Sequence, residues 1–303
     1  MSLLLALAAS QSAPPDPDPP AAPHHYPAPT LNSIPTYDGS GHTIHPSVVD
    51  MGSGGWNGYR YWLADTPYAA ENTSLENPSI LCSHDGVSWQ PPAGLVNPID
   101  PWPGAPSDFT NYNSDTELVY DPESDQLVCY WREVDQSSGF AEILHTATSP
   151  DGTTWTHHDP LTLSGYHSLS PTVVRMADGQ WRLWTFSQSS ASRMLTAPAA
   201  TGPWSYAATN VAWVSRAEAD WHGDVILCGD GVLRGIYTPR GAAYPFTASE
   251  DGLTFTVGAA INSGARHYRP TLTEGIDGYL DMWWSDDQQM RVYRRSMPLG
   301  LWP

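Results

Sequence analysis

Residues Ser149–Trp155 read SPDGTTW, and nearly the same seven letters recur as SHDGVSW at Ser83–Trp89 and SEDGLTF at Ser249–Phe255. Asp-Gly marks a tight turn, because glycine accepts a positive φ and the aspartate bonds nearby backbone N–H groups. The aromatic residue just past the turn is placed to pack across a neighbouring sheet. Three unrelated turns would not share all these features, so a longer internal period is expected.

Working outward from the three turns, the chain after Leu31 alternates short apolar or β-branched runs with Gly, Pro, Asp and Asn, and shows no long helical period. The runs align into five repeats. Their first strands are HPSVV at His45, DTELVY at Asp115, SPTVVR at Ser170, HGDVIL at His222 and RPTLTE at Arg269. The second residues (Pro46, Thr116, Pro171, Gly223, Pro270) recur at steps of roughly 50 to 70 residues. An aromatic-rich second strand follows each, such as YRYWLADT, and then a third, such as NPSILCS. The Asp-Gly hairpins follow the third strand of repeats one, two and four; TGPWSY at Thr201–Tyr206 fills that slot in repeat three, and PLGLWP in repeat five. This order predicts an all-β fold, a five-bladed β-propeller over residues 31–303, with each first strand lining a central channel. The Asp-Gly turns are then scaffold rather than chemistry.

Composition narrows the partners. The 303 residues carry 32 acidic side chains against 13 basic ones, all arginine, for a formal charge of −19. Such a charge opposes binding to a nucleic-acid backbone. Cys82, Cys129 and Cys228 lie in or beside apolar runs without a CxxC pair, which reads as buried thiols rather than a zinc site or disulfide framework. Residues 1–30 differ from the rest. An apolar start, MSLLLALAASQSA, is too short to span a bilayer. The Pro-rich run Pro14–Pro29 that follows cannot form helix or sheet. At about 3.1 Å per residue it is a stiff spacer on the order of 50 Å long. An extended N-terminal tail with a docking tip is expected there.

The ordered set of x-P-[ST]-[VL]-V strands and SxDGxxW or GPW hairpins resembles the five-bladed propellers of glycoside hydrolase families 43 and 32 over about residues 40–303. The run HPSVV…GWNGYRYWLADTPY…ENPSILCSHDGVSW…SDTELVY is similar to propeller modules in tail proteins of bacteriophages. That resemblance implies a virion component, a minor tail protein, extracellular when displayed. Residues 1–30 would contact other tail proteins and the propeller a host cell-wall glycan.

The family-43 resemblance implies a base Asp, a pKa-tuning Asp and an acid Glu at the starts of the first three inner strands. The matching positions hold His45, Asp115 and Ser170. Glycoside hydrolysis needs two carboxyl groups flanking the sugar bond, and serine cannot protonate a leaving group at neutral pH. Glu117 and Asp224 are the substitute carboxylates beside Asp115 as catalytic candidates. His45, Asp115, His167, His222 and Arg269, with loop aromatics Trp56 and Trp221, form a candidate ligand set for sugar hydroxyls and ring faces. The pair Arg132–Glu133 reads as an ion pair between blades. No spacing motif assigns a metal or other cofactor, although the resemblance allows a channel calcium. The expectation is a glycan-binding propeller for host attachment without catalysis; the alternatives are a glycosidase acting on arabinose- or xylose-type polymer and a purely structural decoration.

Overall fold

The computed structural model describes residues 28–102, 111–136, 141–163, 169–186, 192–214, 220–239, 243–262, 267–276, 278–286 and 288–303. Among them the regular structure is β, with three short 3-10 turns and no α-helix. A short strand β1 (Thr30–Leu31) precedes an antiparallel meander of β2 (Thr43–Asp50), β3 (Tyr61–Pro67) and β4 (Ser79–Ser83). The second sheet is β5 (Asn111–Asp121), β6 (Gln126–Asp135) and β7 (Ala141–Ser149), with β8 (Thr156–His157) and β9 (Leu161–Thr162) on the edge of β7. Two further meanders follow: β10 (Leu169–Arg175), β11 (Trp181–Phe186), β12 (Ser192–Ala197) and β13 (Ser205–Val214); then β14 (Asp220–Leu227), β15 (Leu233–Pro239), β16 (Ala243–Ser249) and β17 (Thr254–Asn262). They merge into one eight-stranded sheet, because β13 and β17 pair in parallel at Ala212–Val214. The last sheet is β18 (His267–Glu274), β19 (Tyr279–Asp286) and β20 (Val292–Pro298), extended by β1. Every repeat thus opens on its expected first strand, while hydrogen bonding groups the repeats into four sheets.

The repeated turn has a local and a distant reason. Within SPDGTTW, the Ser149 hydroxyl donates to Asp151 and accepts the Gly152 N–H at 2.8 Å, while Asp151 Oδ1 accepts the N–H groups of Thr153 and Thr154, each at 2.7 Å. Ser83–Asp85 and Ser249–Asp251 repeat the same bonds. The turns of repeats two and four then dock on the second strand of the preceding repeat. Gly152 lies against the Trp62 ring and Gly252 against Trp184, whose indole N–H donates to the Gly252 carbonyl at 2.8 Å. The repeat-three turn reaches Tyr130, whose hydroxyl donates to the Ala200 carbonyl, with Trp204 edge-on to the ring. At the C-terminus, the Trp302 indole donates to the Gly235 carbonyl at 3.0 Å and packs on Phe246.

The first repeat closes the circle on the last. Arg294 of β20 donates to the Asp85 carbonyl at 3.1 Å and lies over both Tyr61 and Trp283. Residues 30–33 strap the same junction: β1 pairs with β20, and the Ser33 N–H donates to the Val87 carbonyl in the first hairpin. Turn chemistry written into the sequence is therefore the means by which successive sheets hold each other.

Candidate functional site

The five first strands bring their opening residues to one end of a channel. Each has a register irregularity there, between Ile44/Ser47, Ser114/Glu117, Leu169/Thr172, Asp220/His222 and His267/Pro270. Such bulges re-aim side chains. His45, Asp115 and Ser170 adopt φ values of 55°, 48° and 43°. Left-handed backbone costs a non-glycine residue on the order of 1–3 kcal/mol and collects at functional sites. His45, Asp115, Ser170, His222 and Arg269 form this upper ring, and all five are buried.

Asp115 is its centre. One carboxylate oxygen, Oδ1, is 3.0 Å from His222 Nδ1 and 3.6 Å from His45 Nε2, and accepts from the Ser170 hydroxyl at 3.2 Å. The other, Oδ2, meets Arg132 Nη2 at 2.9 Å. Burial alone would raise this carboxyl, but Arg132, with help from both histidines, holds it well below the usual carboxylate range. Burial also keeps the imidazoles neutral, lowering His222 and taking His45 down to about 3. His45, Asp115 and His222 each offer a ligating atom within 4.8 Å of the others. Two neutral imidazoles and one ionised carboxylate make up a donor set for a divalent cation.

Behind this ring, His45 Nδ1 contacts Thr66 Oγ1 at 3.1 Å and Glu76 Oε2 at 3.6 Å. Burial pushes the Glu76 carboxyl up to about 8, with the Ser114 hydroxyl donating to it. Glu76 is therefore protonated at neutral pH beside an ionised Asp115. Tyr268 stands edge-on to His45, with ring centroids 5.9 Å apart.

The remaining sequence candidates fall elsewhere. Glu117 and Asp224 lie two residues deeper, in a lower ring with Ser47, Thr172 and Thr271. Glu117 accepts from Ser47, Arg269 and the Val173 N–H; Asp224 accepts from Thr172, Thr271 and the Leu272 N–H. Burial raises both carboxyls, and with their oxygens engaged they are ties between inner strands rather than catalytic groups. Arg269 belongs to the upper ring, yet one nitrogen is spent on Glu117 and the Pro171 carbonyl. Below the lower ring a cavity of about 350 Å³ is walled by apolar residues such as Val49, Val119 and Ile226, and Asp50, Glu117, Asp224 and Glu274 also line it.

Trp56 is not in the site. It sits in the β2–β3 connection, at the opposite end of β2 from His45, where its indole donates to Asp125 and it packs on Trp62. His167 and the side chain of Trp221 lie outside the described residues. Arg132 is not an ion pair between blades with Glu133. It bridges Asp115 and Glu142 within its own sheet, whereas Glu133 pairs with His145. Arg132 was legible only through register, since it faces Ser114 across β5–β6. Glu76 arrives from the β3–β4 connection and carried no sequence signal.

No family model matches the chain. A curated relative, the A type blood N-acetyl-α-D-galactosamine deacetylase of Flavonifractor plautii, is 38% identical over 163 residues, which are 50% of this chain and 20% of that protein. Thus the match spans only about a fifth of the relative's length. Among solved structures, an N-acetylgalactosamine deacetylase from F. plautii in complex with blood group B trisaccharide superposes with a TM-score of 0.75 at 23% identity, covering 90% of this chain and 95% of that one. RS223 β-xylosidase gives 0.63 at 10% identity, covering 89% and 94%. A family-43 endo-arabinanase from Bacillus licheniformis gives 0.59 at 14%, covering 86% and 97%. These likenesses establish an all-β, glycoside-hydrolase-like propeller fold.

Proposed function

We propose that this chain is a cation-assisted hydrolase that removes the acetyl group from an N-acetylated amino sugar. The observation that carries the reading is the buried His45–Asp115–His222 cluster. Atoms bonded to one ion at about 2.1 Å stand roughly 3.0–3.4 Å apart, close to the 3.0 and 3.6 Å separations from Asp115 Oδ1 to the two imidazoles. The set suits a transition-metal or zinc ion better than the calcium allowed by the sequence resemblance, because calcium takes six to eight oxygen ligands. A divalent ion held there would polarise an amide carbonyl and acidify the attacking water. The chain's own part is to orient the donors. Arg132 leaves only Oδ1 of Asp115 facing the histidines, and Thr66 and Glu76 fix the His45 ring. Amide hydrolysis of this kind does not need the second, flanking carboxyl that the upper ring lacks. The 38% identity to part of the deacetylase supports this substrate class.

One arrangement favours the alternative of glycoside hydrolysis: Asp115 and Glu76 stand 3.6 Å from opposite ring nitrogens of His45, the first carboxyl held low by Arg132 and the second raised by burial, a divergence of the kind a nucleophile and acid show. A single assay separates the readings. Purified protein is incubated with glycans ending in N-acetylgalactosamine or N-acetylglucosamine, and acetate and reducing sugar are both measured. Acetate release that stops with EDTA and returns with Mn²⁺ or Zn²⁺ is the expected result. Reducing sugar without acetate would make the protein a glycosidase. Glycan retention with neither product would restore the non-catalytic binding module.

We further propose that each antiparallel meander is one blade, giving five, and that the N-terminal segment docks the propeller on a larger particle such as a phage tail, for action at a host surface glycan. Thr30 and Leu31 already belong to the sheet, so the test is removal of residues 1–27. The truncated chain is expected to melt as the full chain does but to be missing from assembled particles; unfolding on truncation would refute the docking role.

A further inference from the structure

The sequence sets Ser170 aside, because a hydroxyl cannot replace the acid of a glycosidase. Its position gives it another use. Ser170 occupies the third place of the upper ring, between Asp115 and His222, and is wholly buried. Its Oγ lies 2.7 Å from His222 Nδ1 and 3.2 Å from Asp115 Oδ1, and those two atoms are 3.0 Å apart. The three atoms thus form a closed triangle; its 3.0 and 3.2 Å edges fall within the ligand–ligand spacing around a divalent ion, and the 2.7 Å Ser170–His222 edge is a hydrogen bond that lengthens when the ion enters. His45 Nε2 adds a fourth donor, 3.6 Å from the same Asp115 oxygen.

The backbone points the same way. Ser170 has the left-handed conformation of His45 and Asp115, at the same ring position. Glycine would occupy it without strain, but the chain keeps a side chain there and directs its oxygen at the other donors. A serine needed only to tie strands has a better place two residues on. There Thr172 bonds Asp224 and the Val225 backbone.

We propose that Ser170 is a direct ligand of the cation, completing a set of two imidazoles, one carboxylate and one hydroxyl. This rests on the cation-assisted reading above. Serine and threonine hydroxyls ligate hard divalent ions in phosphate-binding loops, so the chemistry is ordinary. On ion entry the Ser170–His222 hydrogen bond would be exchanged for two bonds to the metal, with His222 as the Nε2–H tautomer so that Nδ1 is free to ligate, and with the hydroxyl keeping its proton while an oxygen lone pair binds the ion.

The test is calorimetric titration of the full chain, stripped with EDTA, using Mn²⁺ and Cd²⁺ in turn. Ser170→Ala is expected to bind Mn²⁺ at least about tenfold more weakly than the native protein. A residue that only positions Asp115 would produce a similar loss, so Ser170→Cys decides the matter. A thiolate ligand favours the softer ion: the Cd²⁺-to-Mn²⁺ affinity ratio should rise about a hundredfold, with a thiolate-to-cadmium ultraviolet band that the native protein, with its three buried cysteines, does not show. Should the alanine variant fail to fold, the cysteine variant answers alone. Mn²⁺ affinity of Ser170→Ala within twofold of native, or an unchanged metal preference in Ser170→Cys, would overturn the ligand role while leaving the cation site standing. Absence of any divalent-ion binding by the native chain would overturn both.

Discussion

Asp115→Asn is expected to abolish divalent-ion binding and to lower the melting temperature by on the order of 10 °C. Asp115 is fully buried, and its carboxylate is in contact with Arg132, His222, His45 and Ser170. The amide keeps the shape and removes the charge. Among the described residues Arg132 then keeps Glu142 as its ion-pair partner at 3.2 Å, and removal of one member of a buried charge network costs about 3–5 kcal/mol. At roughly 2–4 °C per kcal/mol for a domain somewhat smaller than this one, that is a readily measured loss. Both imidazoles are also deprived of their only anionic neighbour within the ring. Calorimetry in the presence and absence of Mn²⁺ measures the two effects. A variant that melts within a degree or two of native, and still gains stability from the ion, would show that Asp115 is not the anchor of the site.

Gly152→Ala is expected to cost about 3–4 kcal/mol, read as a lower midpoint of urea unfolding. A Cβ at this position would stand 2.2 Å from Cζ3 and 2.3 Å from Cη2 of Trp62. That indole is 1% exposed and set in the core between the first two repeats, so it cannot withdraw without opening the junction. Overpacking of this kind costs about 1–3 kcal/mol or more, and the left-handed φ of 78° adds about 1–2 kcal/mol for any side chain. Gly179→Ala isolates the second contribution. Gly179 has φ 84°, but the nearest atom to its Cβ is Nη2 of Arg175 at 3.8 Å, an ordinary van der Waals distance. Its loss should stay near 1 kcal/mol. Equal losses at the two positions would mean that the hairpins decorate the sheets instead of fastening them.

Much of the fold was legible because the same physical problem recurs. Repeats two, three and four each present a turn to an aromatic ring of the repeat before, and in two of them SxDG solves this locally through a serine–aspartate pair that holds the glycine. Three such solutions in one chain disclose the period. The upper ring was legible for a related reason: residues that open equivalent strands converge in any radial arrangement, so His45, Asp115 and His222 could be nominated together. What the sequence could not convey was depth. Glu117 and Asp224 lie two residues from upper-ring positions and look equally available, yet their oxygens are consumed by neighbouring strands. Arg132 and Glu76 are invisible for the opposite reason, since one depends on strand register and the other on a connection that folds back over His45. Trp56 shows the cost of ignoring strand polarity: an aromatic loop residue next to an inner strand can belong to either end of it.

The stacking of two rings separates cohesion from chemistry. Neighbouring inner strands are tied through the lower ring at Ser47–Glu117, Glu117–Val173, Thr172–Asp224 and Asp224–Leu272, and Arg269 is the upper residue that reaches down to join them. The upper ring carries the donor chemistry and the lower ring most of the strand ties, although Asp115 also anchors Arg132. Over evolutionary time, a scaffold of this build can change its reaction by substituting a handful of side chains at one mouth while inheriting its architecture intact.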